Sequence, residues 1–421
     1  MIKHIFKQIW VEWRLNSWIL LELTVVFFFL LIMTDFLWGK LKNYKEPKGF
    51  DIENTYLLRL KTLEPMAPGY VAPEMNTLTP AEEVVRLVER IRQYSDVEAV
   101  SVSMHASPYT RGGVWNGFRV DSIFTPIIRS RSVSPSYFDV FRFRTAAGEP
   151  IRVEEGVENQ VILTKDMAEL LFGNAAEAVG KDVMYSEDMG DDNAVFRVVE
   201  VSTRMKWQEF FPYEGASFEI LTVAGLERWL EHSAVNMLDI CVRVYPERAL
   251  HFEESFESDM GDRLKENNLY VSSVVPSAKL RDNVVGKMLR EDILLMTYVM
   301  IFVLITVFLG VFGSFWLRTR QRRAEIGIRM VAGATRAVIR KQMMIEGLLL
   351  IAIVIVPAFL VYINLLYLDA LDTWRLPFTL GRVLIALFAS LVIIVLMVLG
   401  GIYRPARGAS NIQLAEVLKD E

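Results

Sequence analysis

The sequence is poor in the residues that build most catalytic and metal centres. Cys241 is the only cysteine among 421 residues, which excludes an intrachain disulfide and a cysteine-based metal cluster. The four histidines, His4, His105, His232 and His251, are scattered, with no HExxH pair and no GxSxG nucleophile turn. A phosphate-binding loop needs GxxxxGK[ST], whose glycines let backbone amides approach phosphate and whose hydroxyl holds magnesium. The nearest stretch, Gly173 to Asp182 (GNAAEAVGKD), is spaced too long and puts Asp182 where the hydroxyl belongs. The acidic run Glu187 to Asn193 (EDMGDDN) lacks the alternating register of a calcium loop and reads as a solvated hairpin tip. These absences leave no catalytic constellation and no cofactor or metal site, so this chain alone is expected to be non-enzymatic.

Apolar residues, in contrast, are abundant. They make up 52% of the chain and mean hydropathy is +0.28, yet 23% of residues are charged, so the two classes must be segregated. A bilayer core of roughly 30 Å needs about 20 apolar residues as helix. Four stretches are that long, predicted as spans at 17–37, 293–317, 345–368 and 383–402. The first is too long for a signal h-region and is followed by no small-x-small cleavage site, so it reads as a retained span. Glu22 and Glu346 stand out as intramembrane carboxylates, each near a span end, where helix pairing or snorkelling accounts for them. Pro357 is expected to kink the third span. Ahead of the first, Ile2, Ile5, Phe6, Ile9, Trp10 and Trp13 recur at helical spacing, which fits either an amphipathic interfacial helix over 1–16 or a plain extension of the span.

Charge orients these spans. Residues 318–341 carry eight basic residues against Glu325 alone, whereas 40–292 carries 30 basic and 41 acidic, a net of −11. Lysine and arginine in short loops set topology, while long domains translocate regardless of charge. Both termini and a loop over 318–344 are therefore expected in the cytoplasm, together with a tail over 403–421. The segment 38–292 and a short loop over 369–382 are expected outside.

Within 38–292 two ends read alike. Tyr56 to Leu63 is strand-like, Pro80 to Tyr94 helical and Val97 to Ser103 strand-like. Near the far end Leu238 to Tyr245, a helix from Pro246 to about Asn267, and Tyr270 to Val275 repeat the pattern. Two strand–helix–strand units with proline opening each helix imply a split, ferredoxin-like α+β layer. Its halves span about 50–118 and 237–285, around a β-rich insertion at about 119–235. Fold class is thus four transmembrane helices plus a large extracytoplasmic α+β domain.

The loop and its continuation read RRAEIGIRMVAGATRAVIRKQMMIEGLLL from Arg322 to Leu350. This resembles the signature of MacB/FtsX-type ABC-transporter permeases, R-x-x-E-I-G-I-R-x-x-x-G-A-T-x-x-x-I. Arg322, Glu325, Ile326, Gly327, Ile328, Arg329, Gly333, Ala334 and Thr335 fall on the pattern, and Ile339, Gln342 and Glu346 continue it. The tail PARGASNIQLAEVLKDE from Pro405 is similar to the family's ending, with Leu414 where proline is usual and Lys419 for arginine. VSPSYFDVF (Val133 to Phe141), the Glu169 to Lys181 run and FRVVEV (Phe196 to Val201) resemble the family's periplasmic core domain, so the likeness spans nearly the whole chain.

The resemblance implies an inner-membrane permease subunit working by mechanotransmission, for export of antimicrobial, peptide or toxin cargo. A lipoprotein-releasing permease and a non-transporting regulator of periplasmic enzymes are its alternatives. It also implies that 318–344 is a coupling helix seated on an ATPase subunit. There Gly327 and Gly333 would allow close backbone approach, and Arg323, Glu325 and Arg329 would pair across the interface. The missing phosphate-binding loop then places ATP and magnesium on a separate cytoplasmic ABC-type ATPase. Other implied partners are a second permease, identical or paralogous, the lipid bilayer, and a periplasmic adaptor with an outer-membrane factor. No nucleic acid is expected.

Overall fold

The computed structural model describes residues 13–110, 114–186, 194–371 and 377–410. The expected interfacial helix over 1–16 falls largely outside them, as do the acidic run 187–193 and most of the tail. The chain divides into two compact units. One comprises residues 44–288, the other the segments up to Asn43 and from Leu289 onward.

The 44–288 unit is built on a 13-stranded sheet. Its main elements are β1 (Thr55–Thr62), α2 (Pro80–Arg92), β2 (Val97–Met104), β3 (Ile128–Val133), β4 (Gln160–Thr164), α3 (Lys165–Phe172), β5 (Asp182–Tyr185), β6 (Val195–Ser202), β7 (Ala216–Ile220), α4 (Val223–Leu230), β8 (Leu238–Val244), α5 (Phe252–Met260), β9 (Leu269–Pro276) and α6 (Ser277–Met288). The order β9-β1-β8-β2, with all three pairings antiparallel, is the split strand–helix–strand arrangement expected from the two similar ends. The insertion extends the same sheet as β3-β7-β4-β6-β5.

Local chemistry accounts for these elements. Thr79 caps α2 in a reciprocal capping box with Glu82, and Pro80 opens the helix. Val84, Leu87, Val88 and Ile91 recur at 3.6-residue spacing and are buried on the sheet. β8 (LDICVRV) lies between β1 and β2 and is buried along its length, which explains its five apolar residues and why its two charges, Asp239 and Arg243, are answered by Arg59 and Asp51. Cys241 is buried there; burial first, then the Asp239 charge, pushes its thiol up, so it is an inert core residue. The helix expected from Pro246 to about Asn267 is shorter. Only Phe252–Met260 is α-helical; Gly261 turns the chain at φ +41°, and Lys265–Glu266 pairs back on β9 as a hairpin.

Among the described residues, the second unit holds four helices long and apolar enough to cross a membrane. They are α1 (Trp13–Lys45), α7 (Leu295–Gln321, preceded by a π-helical turn Leu289–Leu294), α9 (Arg336–Tyr367) and α10 (Leu380–Ser410), with the short α8 (Arg323–Val331) between α7 and α9. Each helix outruns the apolar stretch that announced it. α1 continues past Leu37 to Lys45, stopping just before Pro47, because hydropathy marks only the lipid-facing length while helix propensity carries on to the next breaker. Pro357 lies within α9. The helices share one apolar core. Gly347 of α9 packs so close to Ile402 and Val398 of α10 that a Cβ would collide with Ile402.

Candidate functional site

The motif residues gather at one end of the helix unit. α7 ends at Gln321, and the chain turns through Arg322 into α8. At the end of α8, Ala332 donates to the Ile328 carbonyl and Ala334 to that of Arg329, with Gly333 at φ +98° between them. This is a Schellman-type stop needing a left-handed residue. Within this chain the glycine serves backbone conformation, and a Cβ there would meet nothing within 4 Å. Thr335 then caps α9, its hydroxyl accepting from the Val338 amide at 3.4 Å.

Glu346 joins the two long helices across this elbow. One carboxylate oxygen accepts from Arg318 at 3.0 Å and the other from Arg322 at 3.4 Å. Both Glu346 and Arg318 are buried. Arg329 donates to Glu325 on its own helix at 2.5 Å and to Gln342 of α9 at 2.8 Å. Glu325 and Arg329 thus pair with each other and Arg329 with α9, while both side chains stay partly exposed. Phe315, Arg318, Glu325, Arg329, Gln342 and Glu346 line a cavity of about 40 Å³. That is room for a water or two and far below the several hundred cubic ångströms of a small-molecule site.

The inner face of α8 is set by buried Ile326 and Gly327 and half-buried Met330. Its outer face carries Ile328 and Val331, each 66% exposed, and Arg323 and Arg336, at the starts of α8 and α9, are exposed as well. An exposed apolar pair on a short helix that also carries arginine is a protein-docking chemistry rather than a catalytic one.

Glu22 lies on α1 with its carboxylate against Gly310 of α7, where a Cβ would not fit. Trp18, Leu21, Phe29, Phe302 and Thr306 continue that groove. A third carboxylate was not singled out in the sequence: Asp35 of α1 accepts from Arg382 of α10 at 2.7 and 2.6 Å, both side chains buried. Next to it Thr34 and Ser390 hydroxyls lie 2.7 Å apart. Arg382, expected in a loop over 369–382, stands instead in the first turn of α10, its amide donating to the Thr379 hydroxyl. Asp35 was readable as a carboxylate inside an apolar run. Nothing local pointed to its partner.

In the 44–288 unit a second ionic knot surrounds Glu209. Its carboxylate accepts from Arg281 at 2.6 Å and Tyr109 at 2.8 Å, with Lys48 at 3.7 Å. Burial pushes Glu209 up, but hydrogen bonds from Arg281, from its own backbone and from Tyr109, with the Lys48 charge, outweigh it and hold the carboxyl below its usual range. Glu46 with Lys206 at 2.9 Å and Asp51 with Arg243 at 3.3 Å add two further pairs. Residues 46–51 and α6, the two ends of this unit's chain, are therefore tied to its core by charge.

Comparison with known proteins agrees with this layout. Residues 297–414 match the FtsX-like permease C-terminal family model. Residues 25–250, more than half of the chain, match the MacB-like periplasmic core domain. The probable syringafactin export ATP-binding/permease protein SyfD of Pseudomonas syringae pv. tomato is 26% identical over 297 residues, 68% of this chain and 41% of that protein. The chain thus spans about two fifths of that relative's length. The crystal structure of the periplasmic region of MacB from Actinobacillus actinomycetemcomitans superposes with a TM-score of 0.33 at 12% identity, covering 56% of this chain and 94% of that one. A domain of a putative permease protein from Porphyromonas gingivalis gives 0.32 at 14% identity, covering 53% and 90%. With four membrane-length helices, a mixed α/β domain inserted after the first, and the elbow motif between the second and third, the chain belongs to the MacB/FtsX-type family of ABC transporter permeases.

Proposed function

We propose that this chain is a non-catalytic exporter subunit that couples ATP hydrolysis on a separate ATPase subunit to movement of its 44–288 domain. The observation that carries the reading is α8. Its inner side is locked to α9 through Arg329 and Gln342, while Ile328 and Val331 are left exposed. A helix held this way passes a push at its outer face into α7 and α9 through the buried Arg318–Glu346–Arg322 bridge. Helices lined by few polar groups make a poor aqueous conduit, which favours force transmission over passage of a soluble solute through the bundle. The cargo class is that of antimicrobials, peptides or toxins, handled on the periplasmic side; the export named for the syringafactin relative supports it.

The test is reconstitution of the chain with a candidate ABC-type ATPase subunit. Ile328→Asp with Val331→Asp should remove co-purification of the ATPase and its stimulation, with thermal stability unchanged because both residues are exposed. Undiminished stimulation would sink the docking assignment.

A further inference from the structure

The 44–288 unit contains a cleft that the coupling reading does not use. It arises where its sheet splits. β2 and β3 are neighbours, yet they pair at a single position, Ser103 with Val133. Beyond it the β2 edge is closed by the loop after β3 instead of by a strand. The Ser134 hydroxyl accepts from the Val102 amide at 3.0 Å, the Ser134 amide donates to the Val102 carbonyl at 2.8 Å, and the Ser136 hydroxyl donates to the Val100 carbonyl at 2.6 Å. Backbone polarity along this edge is thereby satisfied, and an open space is left over β2, between α2, the loop after β3 and α4.

That space is a cleft of about 590 Å³, within the range of small-ligand and peptide pockets. Val84 and Val88 of α2, Val100 of β2 and Leu226 of α4 form an apolar floor. Val85 and Val223 stand at the mouth, 41% and 55% exposed. The charged rim holds three carboxylates, Glu89, Glu155 and Glu158, against two guanidinium groups, Arg92 in the lining and Arg228 beside Glu158, an excess of one negative charge. Arg92 lies 3.3 Å from Glu89, and Glu158 pairs with Arg228 at 3.2 Å. Glu155 is exposed at the edge. An apolar floor selects hydrocarbon, and a rim with an excess of negative charge selects a cation beside it.

We propose that this cleft binds a cationic amphipathic peptide segment, apolar side chains on the valine floor and a lysine or arginine against Glu155 and Glu158. A neutral lipid tail would use the floor and ignore the rim. An anionic amphiphile would be repelled by the rim. Because both carboxylates lie at the solvent edge, binding weakens as salt rises.

The chain's single native cysteine is buried, so Val223→Cys provides one accessible thiol at the mouth for a polarity-sensitive fluorophore; Val85→Cys is a second, independent reporter. The full chain in nanodiscs of zwitterionic lipid is titrated with a short synthetic peptide alternating leucine and lysine. Two controls replace lysine by glutamate, or leucine by serine. A saturable blue shift is expected at both reporters with the leucine–lysine peptide alone. In a Glu155→Lys, Glu158→Lys background its affinity should fall roughly tenfold. No shift at either reporter, an equal response to the glutamate peptide, or an affinity unmoved by the charge reversal would each overturn the proposal. None of these readouts involves the ATPase, so failure here leaves the docking assignment of α8 standing, and the reverse.

Discussion

Replacing Glu346 by glutamine keeps the shape of the side chain and removes only its charge, which isolates what the elbow bridge contributes. The Glu346 side chain is 9% exposed, that of Arg318 7% and that of Arg322 21%. Removing one member of a buried ion pair costs about 3–5 kcal/mol, because the remaining charge is left without compensation in a low dielectric. Arg322 recovers part of its hydration, and Arg318 keeps its position over the Phe315 ring at 5.6 Å, so the lower figure, about 3 kcal/mol, applies. Replacing both buried partners by apolar residues of similar volume, Arg318→Met with Glu346→Leu, takes this carboxylate only from Arg322, which is 21% exposed, and should recover most of the loss. Reversible unfolding in mixed micelles, followed by circular dichroism, measures each variant. A cycle over Arg318→Met and Glu346→Gln should give a coupling of about 2 kcal/mol. Additive single losses, or a loss below about 1 kcal/mol for Glu346→Gln, would refute the bridge as the element joining α7 to α9.

Gly333→Ala should cost about 1–2 kcal/mol through its positive φ alone, and Gly333→Asn less, since asparagine tolerates the left-handed region. The same unfolding assay reads both, and equal losses would mean that crowding, not conformation, is at stake. Glu209→Gln should destabilise the 44–288 unit by about 3 kcal/mol at neutral pH. The Glu209 pKa is held down in the folded state, so its stabilisation is complete above the ordinary glutamate value of about 4.3 and is lost as pH falls through the folded value. Urea titrations of wild type and variant should therefore converge on acidification. A gap that persists into strong acid would show that the Arg281 and Tyr109 contacts act through packing rather than charge.

The sequence by itself determined the features that are local in the chain. Four apolar runs announced four helices, because spanning lipid demands some twenty apolar residues in a row. The cap at Thr79 and the valine spacing of α2 announced a helix, and the repeated strand–helix–strand pattern announced the β9-β1-β8-β2 arrangement. The EIGIR–GAT motif marked the elbow. Tertiary structure decided which groups face one another. Arg382 reads as a loop cation, and Asp35 goes unnoticed in its apolar run, until helices 347 positions apart in sequence bring the two together. That Arg329 is held on α9 by Gln342 is likewise set by packing between helices. The cleft over β2 depends on where α2, α4 and the loop after β3 pack, which no local pattern announces. Periodicity reports which face of an element is apolar, since that depends only on neighbours along the chain. Which partner covers that face, or answers a buried charge, is a property of packing between distant segments.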